Sequence, residues 1–486
     1  MSEHPLDPIF HPRAIALVGV PSGGQSMSLG FLTSLLEQGF QEGHGLYPVN
    51  PKAQEIKGVP CYETLLDTPD PVDHVISLVP ARVVPQLVDQ AIAKRVRSVH
   101  FFTAGFSETG DAEMADLERQ MVGRLNAAGI RVFGPNCMGL YVPSEQIAFM
   151  MGFPREAGHV MFISQSGANA SEVVRGLGQR GVYFSKVVSF GNGADLRAHH
   201  FLDYARTDAD THVAAAYIEG VQDAPRFFEH TKALAAEKPV ILLKGGLTGA
   251  GARAAHSHTG SLAGSTQIFD AMCRQAGAWR AETMDDLHDV TVAVTTRLRE
   301  VRGRGVALVG GGGGIAVLSA DALAAAGLEV PPTPEDARRR LHEFVPVAGT
   351  SVNNPIDINI GSGEELDRTL AIMAAADNID VVVTNAPLGR GPGQPPPGSG
   401  DPEADRADAL RHAEEQAARM ARLQDETGVP FVVLARGGPS PEAVERFTQA
   451  AHRHGVAVYP SIHRAARAIA AVLDWRARRA GLPEIF

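Results

Sequence analysis

Three times along this 486-residue chain, a short apolar run ends in a glycine- or serine-rich turn and a helix-period segment follows. The turns are 19–24, 164–167 and 310–314. Each opens a longer alternation. Apolar, β-rich runs lie at 14–18, 45–49, 74–79, 98–102 and 131–133, then at 159–163, 186–190, 213–218 and 239–243, then at 305–309, 381–384, 430–434 and 457–459. Helix-period segments such as 31–38 and 83–94 separate them. Strands that alternate with helices at this spacing predict parallel α/β sheets. At roughly 100–200 residues per domain the length fits about three such units, placed at 1–148, 155–298 and 303–486.

A turn of this kind points free backbone N–H groups at one spot, and the dipole of the following helix makes that spot favour anions. Three at domain starts suggest a protein that handles several phosphates or carboxylates; three unrelated packing turns are the alternative. The formal net charge is −11, and no stripe of Lys and Arg offers a nucleic-acid surface. Cys61, Cys137 and Cys273 share no close spacing, so neither a zinc site nor a disulfide framework is expected. Free thiols, a polar N-terminus and the lack of a long apolar run predict a cytoplasmic protein. The segment 389–402 is dominated by glycine and proline and is read as a mobile surface loop.

The first turn follows a strand as in a dinucleotide-binding unit, but the second glycine of that fingerprint falls at Pro21. The acidic residue that would bind the ribose of NAD is missing, and Asn50-Pro51-Lys52 stands there instead. A lysine suits a phosphate, so NAD is disfavoured and a phosphorylated nucleotide such as CoA is favoured. In the second unit, Lys244-Gly245-Gly246 leads through small residues to His256-Ser257-His258-Thr259-Gly260-Ser261. Such a loop lacks the apolar side chains of a core histidine, and no further ligands lie at a metal-site spacing. A mobile loop can carry a nucleophile between two sites, and neutral imidazole is nucleophilic near pH 7. Ser166 is not a hydrolase nucleophile: the elbow needs glycines two residues away on both sides, where Ser164 and Ala168 stand.

Several stretches of the first unit resemble the CoA-binding domain of the NDP-forming acyl-CoA synthetases, a superfamily that includes succinyl-CoA synthetase and ADP-forming acetyl-CoA synthetase. They are 47–52, Val79-Pro80-Ala81, Ala104-Gly105-Phe106-Ser107-Glu108 and Gly134-Pro135-Asn136-Cys137-Met138-Gly139. Ser257-His258-Thr259-Gly260 is similar to that family's phosphohistidine motif, and Tyr217-Ile218-Glu219-Gly220 to the segment whose glutamate accepts a hydrogen bond from the imidazole. The glycine turn at 310–314, Ala320-Asp321-Ala322 and Asn354-Pro355-Ile356-Asp357 resemble the third module.

The resemblance implies a Rossmann-like CoA-binding domain followed by two flavodoxin-like domains. It places Gly19, Pro21, Ser22 and Lys52 near the CoA phosphates, Val79 and Pro80 along the pantetheine, and Asn136 and Cys137 near the thiol. Pro21 departs from the family, which has a small residue there. Cys137 is read as a buried, inert thiol. His258 is the phosphoryl carrier and Glu219 its partner, with Ser164, Gln165, Ser166, Gly167, Asn192 and Gly260 holding phosphate. Gly312, Gly313 and Gly314 are acid-site candidates, and no metal site is assigned in this chain. ATP and Mg2+ are expected on a separate ATP-grasp subunit, because the three α/β series leave no room for one, and the assembly is expected to be a hetero-oligomer. The implied activity is acyl-CoA formation from a carboxylic acid, CoA and ATP. Two rivals stay open: a catalytically silent CoA-binding scaffold, and an NAD-dependent oxidoreductase, against which the broken fingerprint argues.

Overall fold

The computed structural model describes residues 4–251, 253, 265–310, 312–345, 351–357, 363–388, 401–435, 437 and 440–479. His258 and Gly260, with His256 and most of the segment 389–402, lie outside these residues. The chain divides into two compact units, Met1–Arg175 with Tyr183–Glu282, and Gly176–Val182 with Thr283–Phe486.

The first unit holds two sheets. One is built from β1 (Ala14–Val18), β2 (Gly45–Val49), β3 (His74–Ser77), β4 (Ser98–Phe101) and β5 (Arg131–Phe133), all parallel, in the order β2-β1-β3-β4-β5. Its strands are buried almost throughout, as expected where helices cover both faces. The order reverses direction between β1 and β3, so a crevice opens beyond the carboxyl ends of these two strands.

The second sheet comprises β6 (Gly139–Tyr141), β7 (Ala157–Ser164), β8 (Phe184–Ser189), β9 (Val213–Ile218), β10 (Val240–Lys244) and β11 (Trp279–Ala281). The order is β11-β10-β9-β7-β8-β6, parallel except for β6, which runs antiparallel to β8. The same reversal recurs between β7 and β9. Strand β6 was not legible in the sequence: three residues after a Gly-Pro loop carry no periodicity, yet Tyr141 is fully buried and donates from its hydroxyl to the carbonyl of Pro154 at 2.8 Å.

The second unit contains β12 (Val306–Val309), β13 (Val381–Asn385), β14 (Phe431–Leu434) and β15 (Ala457–Tyr459), parallel and in that order. The stretch 296–305, whose composition suggests a linker, instead holds a turn of 3-10 helix at Arg297–Glu300 with Leu298 and Val301 buried. Pro402, the end of the proline-rich segment, opens the helix Pro402–Thr427, with the Asp401 carboxylate accepting from the Glu403 N–H. Proline fits there because its missing N–H would have had no intrahelical partner.

Candidate functional site

At the crevice of the first sheet, Gly19 follows β1 with φ +96°. A Cβ there would lie 2.7 Å from Val79 Cγ1 and 3.0 Å from the Val79 nitrogen, so only glycine lets the first turn approach the segment after β3. Gly19 and Val79 therefore meet at the switch point, with Pro21 half-buried and Ser22 and Pro80 exposed around them. The Asn50 amide donates to the Val20 carbonyl at 2.7 Å, and its oxygen accepts from the Lys52 N–H at 2.9 Å. This ties the turn after β2 to the turn after β1 and leaves the Lys52 side chain exposed.

Asn136 adopts φ +59° and its N–H donates to the Thr103 carbonyl. Cys137 beside it is buried, and burial pushes its thiol far above the usual range. Such a thiol is not a nucleophile. In the folded protein, iodoacetamide is expected to label partly exposed Cys61 at least about tenfold faster than Cys137 or Cys273; mass spectrometry of partially alkylated protein would show it, and equal rates would contradict the burial.

At the switch point of the second sheet, β7 ends at Ser164 and runs through Gln165 and Ser166 into the helix Gly167–Gly178. Ser164 Oγ accepts from the Ser166 N–H at 3.1 Å, the Gln165 N–H donates to the Tyr217 carbonyl at 3.1 Å, and Ser166 Oγ caps the helix through the Asn169 N–H at 3.3 Å. Those groups are committed to building the turn. The N–H groups of Gly167 and Ala168 are left without a partner among the described residues, at the positive end of a 12-residue helix. An anion at this turn would meet those two.

Glu219 follows β9 and is half-buried. Gln165 reaches across: its side-chain oxygen accepts from the Glu219 N–H and, at 2.9 Å, from the Gly220 N–H. Gln165 thus fixes the glutamate turn rather than offering its side chain outward. One carboxylate oxygen of Glu219, Oε2, is buried with no hydrogen-bond partner among the described residues. Tyr217 sits two residues back; burial first, then the charge and hydrogen bond of Glu219, push its hydroxyl up to about 12. Lys244 at the end of β10 was not singled out in the sequence as a site residue. It is buried, and its Nζ donates to the Glu219 carbonyl and to the Gly245 carbonyl at 2.6 Å. The segment bearing His258 follows it in sequence.

Asn192 lines a pocket together with Gln165 and Gly220. Its amide donates to Glu108 Oε2 at 2.7 Å, with Glu118 Oε2 at 3.3 Å and Ser107 Oγ at 3.4 Å, while Oδ1 is buried without a partner. Asn192 therefore presents an acceptor, and its donors are spent on carboxylates. Glu108 in turn accepts from the N–H groups of Gly105 at 2.6 Å and Phe106 at 3.2 Å. Asn192 also lines a cleft of about 460 Å3 with Ser107, Glu118, Arg119 and Arg197. Gly312 has φ +76°, and Gly313 and Gly314 begin the exposed start of the helix Gly313–Ala325 in the second unit. Among the described residues no group of three or more His, Cys, Asp or Glu could hold a metal, and no helix is long and apolar enough to cross a membrane.

Residues 13–143 match the family described as CoA binding domain, and residues 157–294 the succinyl-CoA ligase like flavodoxin domain. Acetate–CoA ligase [ADP-forming] I subunit alpha of Pyrococcus furiosus is 30% identical over 480 residues, which are 97% of each chain. Acetate–CoA ligase [ADP-forming] I of Archaeoglobus fulgidus is 36% identical over 384 residues, 78% of this chain; the chain spans about half, 54%, of that relative's length. Among solved structures, the apo form of Ca. Korarchaeum cryptofilum dinucleotide forming acetyl-coenzyme A synthetase 1 aligns with a TM-score of 0.80 at 28% identity, covering 98% of both chains. By sequence and by fold, the chain belongs to the ADP-forming acyl-CoA ligase family, among the relatives of its alpha subunits.

Proposed function

We propose that the chain is the CoA-binding, phosphoryl-carrying subunit of an ADP-forming acyl-CoA ligase, working with a separate ATP-grasp subunit that binds ATP and Mg2+. The observation that carries this reading is Glu219. Its half-buried carboxylate has an unpartnered oxygen at the switch point of the second sheet, next to the turn of Gly167 and Ala168. An imidazole N–H is the donor such an oxygen lacks, and a phosphoryl group is the anion such a helix start attracts.

The reaction then balances in three transfers. The terminal phosphoryl group of ATP passes to an imidazole nitrogen of His258, and ADP leaves. A carboxylate oxygen of the acid attacks that phosphorus, freeing the imidazole and giving an acyl phosphate. The CoA thiolate attacks the acyl carbon and expels inorganic phosphate. Glu219 would stabilise the cationic ring, and Gly167 and Ala168 would hold phosphate during transfer. Gly19, Val79 and Lys52 would seat CoA, with its thiol near Asn136 and the acid beside the glycine turn at 312–314. A cytoplasmic setting fits the free thiols.

The test runs the reaction backwards. The full chain, alone and with an ATP-grasp partner, is incubated with inorganic phosphate and a panel of acyl-CoAs. Acid-labile, alkali-stable phosphate on His258 is expected with one acyl class. No label under either condition, with CoA still bound, would instead support a silent CoA-binding scaffold.

A further inference from the structure

We infer that Asn192 and His199 frame a binding site for a small hydroxycarboxylic acid. Its hydroxyl is held between Asn192 Oδ1 and His199 Nε2, and its carboxylate lies at the start of the helix Ala198–Thr207. The site is built entirely from residues of the first unit and stands whether or not His258 carries phosphate.

Asn192 and His199 are 6% and 5% exposed, and both line one pocket of about 20 Å3. Each carries a side-chain atom that is buried without a hydrogen-bond partner among the described residues, Oδ1 of Asn192 and Nε2 of His199. Leaving a buried polar atom unpaired costs about 1–3 kcal/mol, so two on the wall of one pocket mark a place for a third group. Neither side chain is free to turn away. The Asn192 amide nitrogen is fixed by Glu108 Oε2 at 2.7 Å, and Glu108 is itself held by the N–H groups of Gly105 and Phe106. The His199 ring packs on that of His200, with centroids 4.0 Å apart, and lies 6.0 Å from that of His230, whose Nδ1 is 3.1 Å from Asp203 Oδ1.

The two atoms define the group they lack. Asn192 Oδ1 only accepts, so the ligand must donate to it. Burial holds the His199 imidazole below its usual range against the pull of Asp223, so the ring is neutral near pH 7 and carries one N–H. With that N–H on Nε2, a hydroxyl completes both atoms, giving its proton to Oδ1 and a lone pair to the imidazole. A carboxylate has no proton for Oδ1. An ammonium has no lone pair for the N–H and would share the pocket with the Arg197 guanidinium. The anionic end of the ligand follows from the helix. The N–H groups of Ala198 and His199 have no partner among the described residues, at the positive end of a 10-residue helix that Arg197 precedes. The nearby carboxylates are engaged: Asp223 on this pocket accepts from the Arg226 N–H at 3.3 Å, and Glu118 on the neighbouring cleft accepts from Ser107 Oγ at 2.8 Å. Asn192, Arg197 and Gln222 are walls of both the pocket and that cleft of about 460 Å3, which offers room for the carbon body of the acid.

Isothermal titration of the full chain with 2-, 3- and 4-hydroxybutyrate, and with butyrate as the match that lacks the hydroxyl, tests the site. At least one hydroxy acid is expected to bind about tenfold or more tighter than butyrate, which leaves Oδ1 and Nε2 unpaired. His199→Phe keeps a ring and removes the nitrogen. It is expected to bring that hydroxy acid down to the level of butyrate, with CoA affinity unchanged as the report on folding. His199→Gln restores a polar group and is expected to recover part of the preference. Asn192→Leu carries the test where His199→Phe does not fold. No binding by any of the four acids, equal affinity for the hydroxy acids and butyrate, or a preference that survives in His199→Phe with normal CoA binding would each overturn the assignment and leave the pocket to solvent. ADP release with the ATP-grasp partner separates the two sources of such a ligand. A bound hydroxy acid that drives it is the substrate, and one that binds without driving it is an effector; both keep the site.

Discussion

Replacing His258 with Asn is expected to abolish acyl-CoA formation while CoA binding stays near the native level. Asparagine keeps a polar side chain of similar reach but offers no nucleophilic nitrogen. Without the carrier the acid has no route to an acyl phosphate, and a free carboxylate does not acylate a thiol at a useful rate. Loss of a covalent carrier removes the pathway rather than slowing it, so turnover should fall on the order of 10⁴-fold or more. The proposed CoA site is the switch point of the first sheet, around Gly19 and Val79, whereas His258 follows Lys244 of the second sheet in sequence. Isothermal titration with CoA and a coupled ADP-release assay would separate the two readouts. Ligase activity in this variant close to wild type would sink the assignment of the carrier.

The second large effect concerns the joint between the two sheets of the first unit. Gly191 has φ +54°, and a Cβ there would lie 2.3 Å from the Asn136 carbonyl oxygen and 2.4 Å from that of Pro135. Both obstacles are backbone atoms, which cannot rotate aside as a side chain would. The segment around Gly191 also docks by three main-chain hydrogen bonds: Asn192 N–H to Pro135 O at 3.0 Å, Ala194 N–H to Gly134 O at 3.1 Å and Leu196 N–H to Val132 O at 3.2 Å. Gly191→Ala would push this seam apart and add left-handed strain, a loss of about 3 kcal/mol or more at about 1 kcal/mol per hydrogen bond. Gly110→Ala is the control: φ is +76° but nothing lies within 4 Å of the added methyl. It should lose only the backbone term, about 1–2 kcal/mol. Thermal and urea unfolding of the pair would measure the difference. Equal losses would mean that the close approach to Asn136 and Pro135 contributes nothing.

The alternation of strand and helix could be read from the chain because buried parallel strands are short, apolar and flanked by glycine. Strand β1 at 14–18 and β9 at 213–218 lie where the periodicity places them. Strand order could not be read that way. That β7 sits between β9 and β8, and so creates the crevice holding Glu219, depends on long-range pairing that no local pattern encodes. Glu219 was accessible through its motif, as was Gln165, but not the bond from the Glu219 turn to the Gln165 side chain. Asn192 shows the limit from the other side. The resemblance to the family suggests a phosphate ligand there, yet its donors are turned to Glu108 and Glu118, and Glu118 lies mid-helix with nothing local to mark it. Lys244 stands in the sequence only as the residue that leads into a run of small residues; its burial against two carbonyls is visible only in the structure.

Strand β6 ties the two sheets of the first unit together. After completing the first sheet at β5, the chain turns at Gly134-Pro135-Asn136 and lays Gly139–Tyr141 along the outer edge of the second sheet. A cut in the region around residue 148, where sequence alone invites one, would carry that strand off with the wrong partner. The released fragment would trail three unpaired residues, and the remainder would expose β8 as a raw edge able to pair with a neighbour.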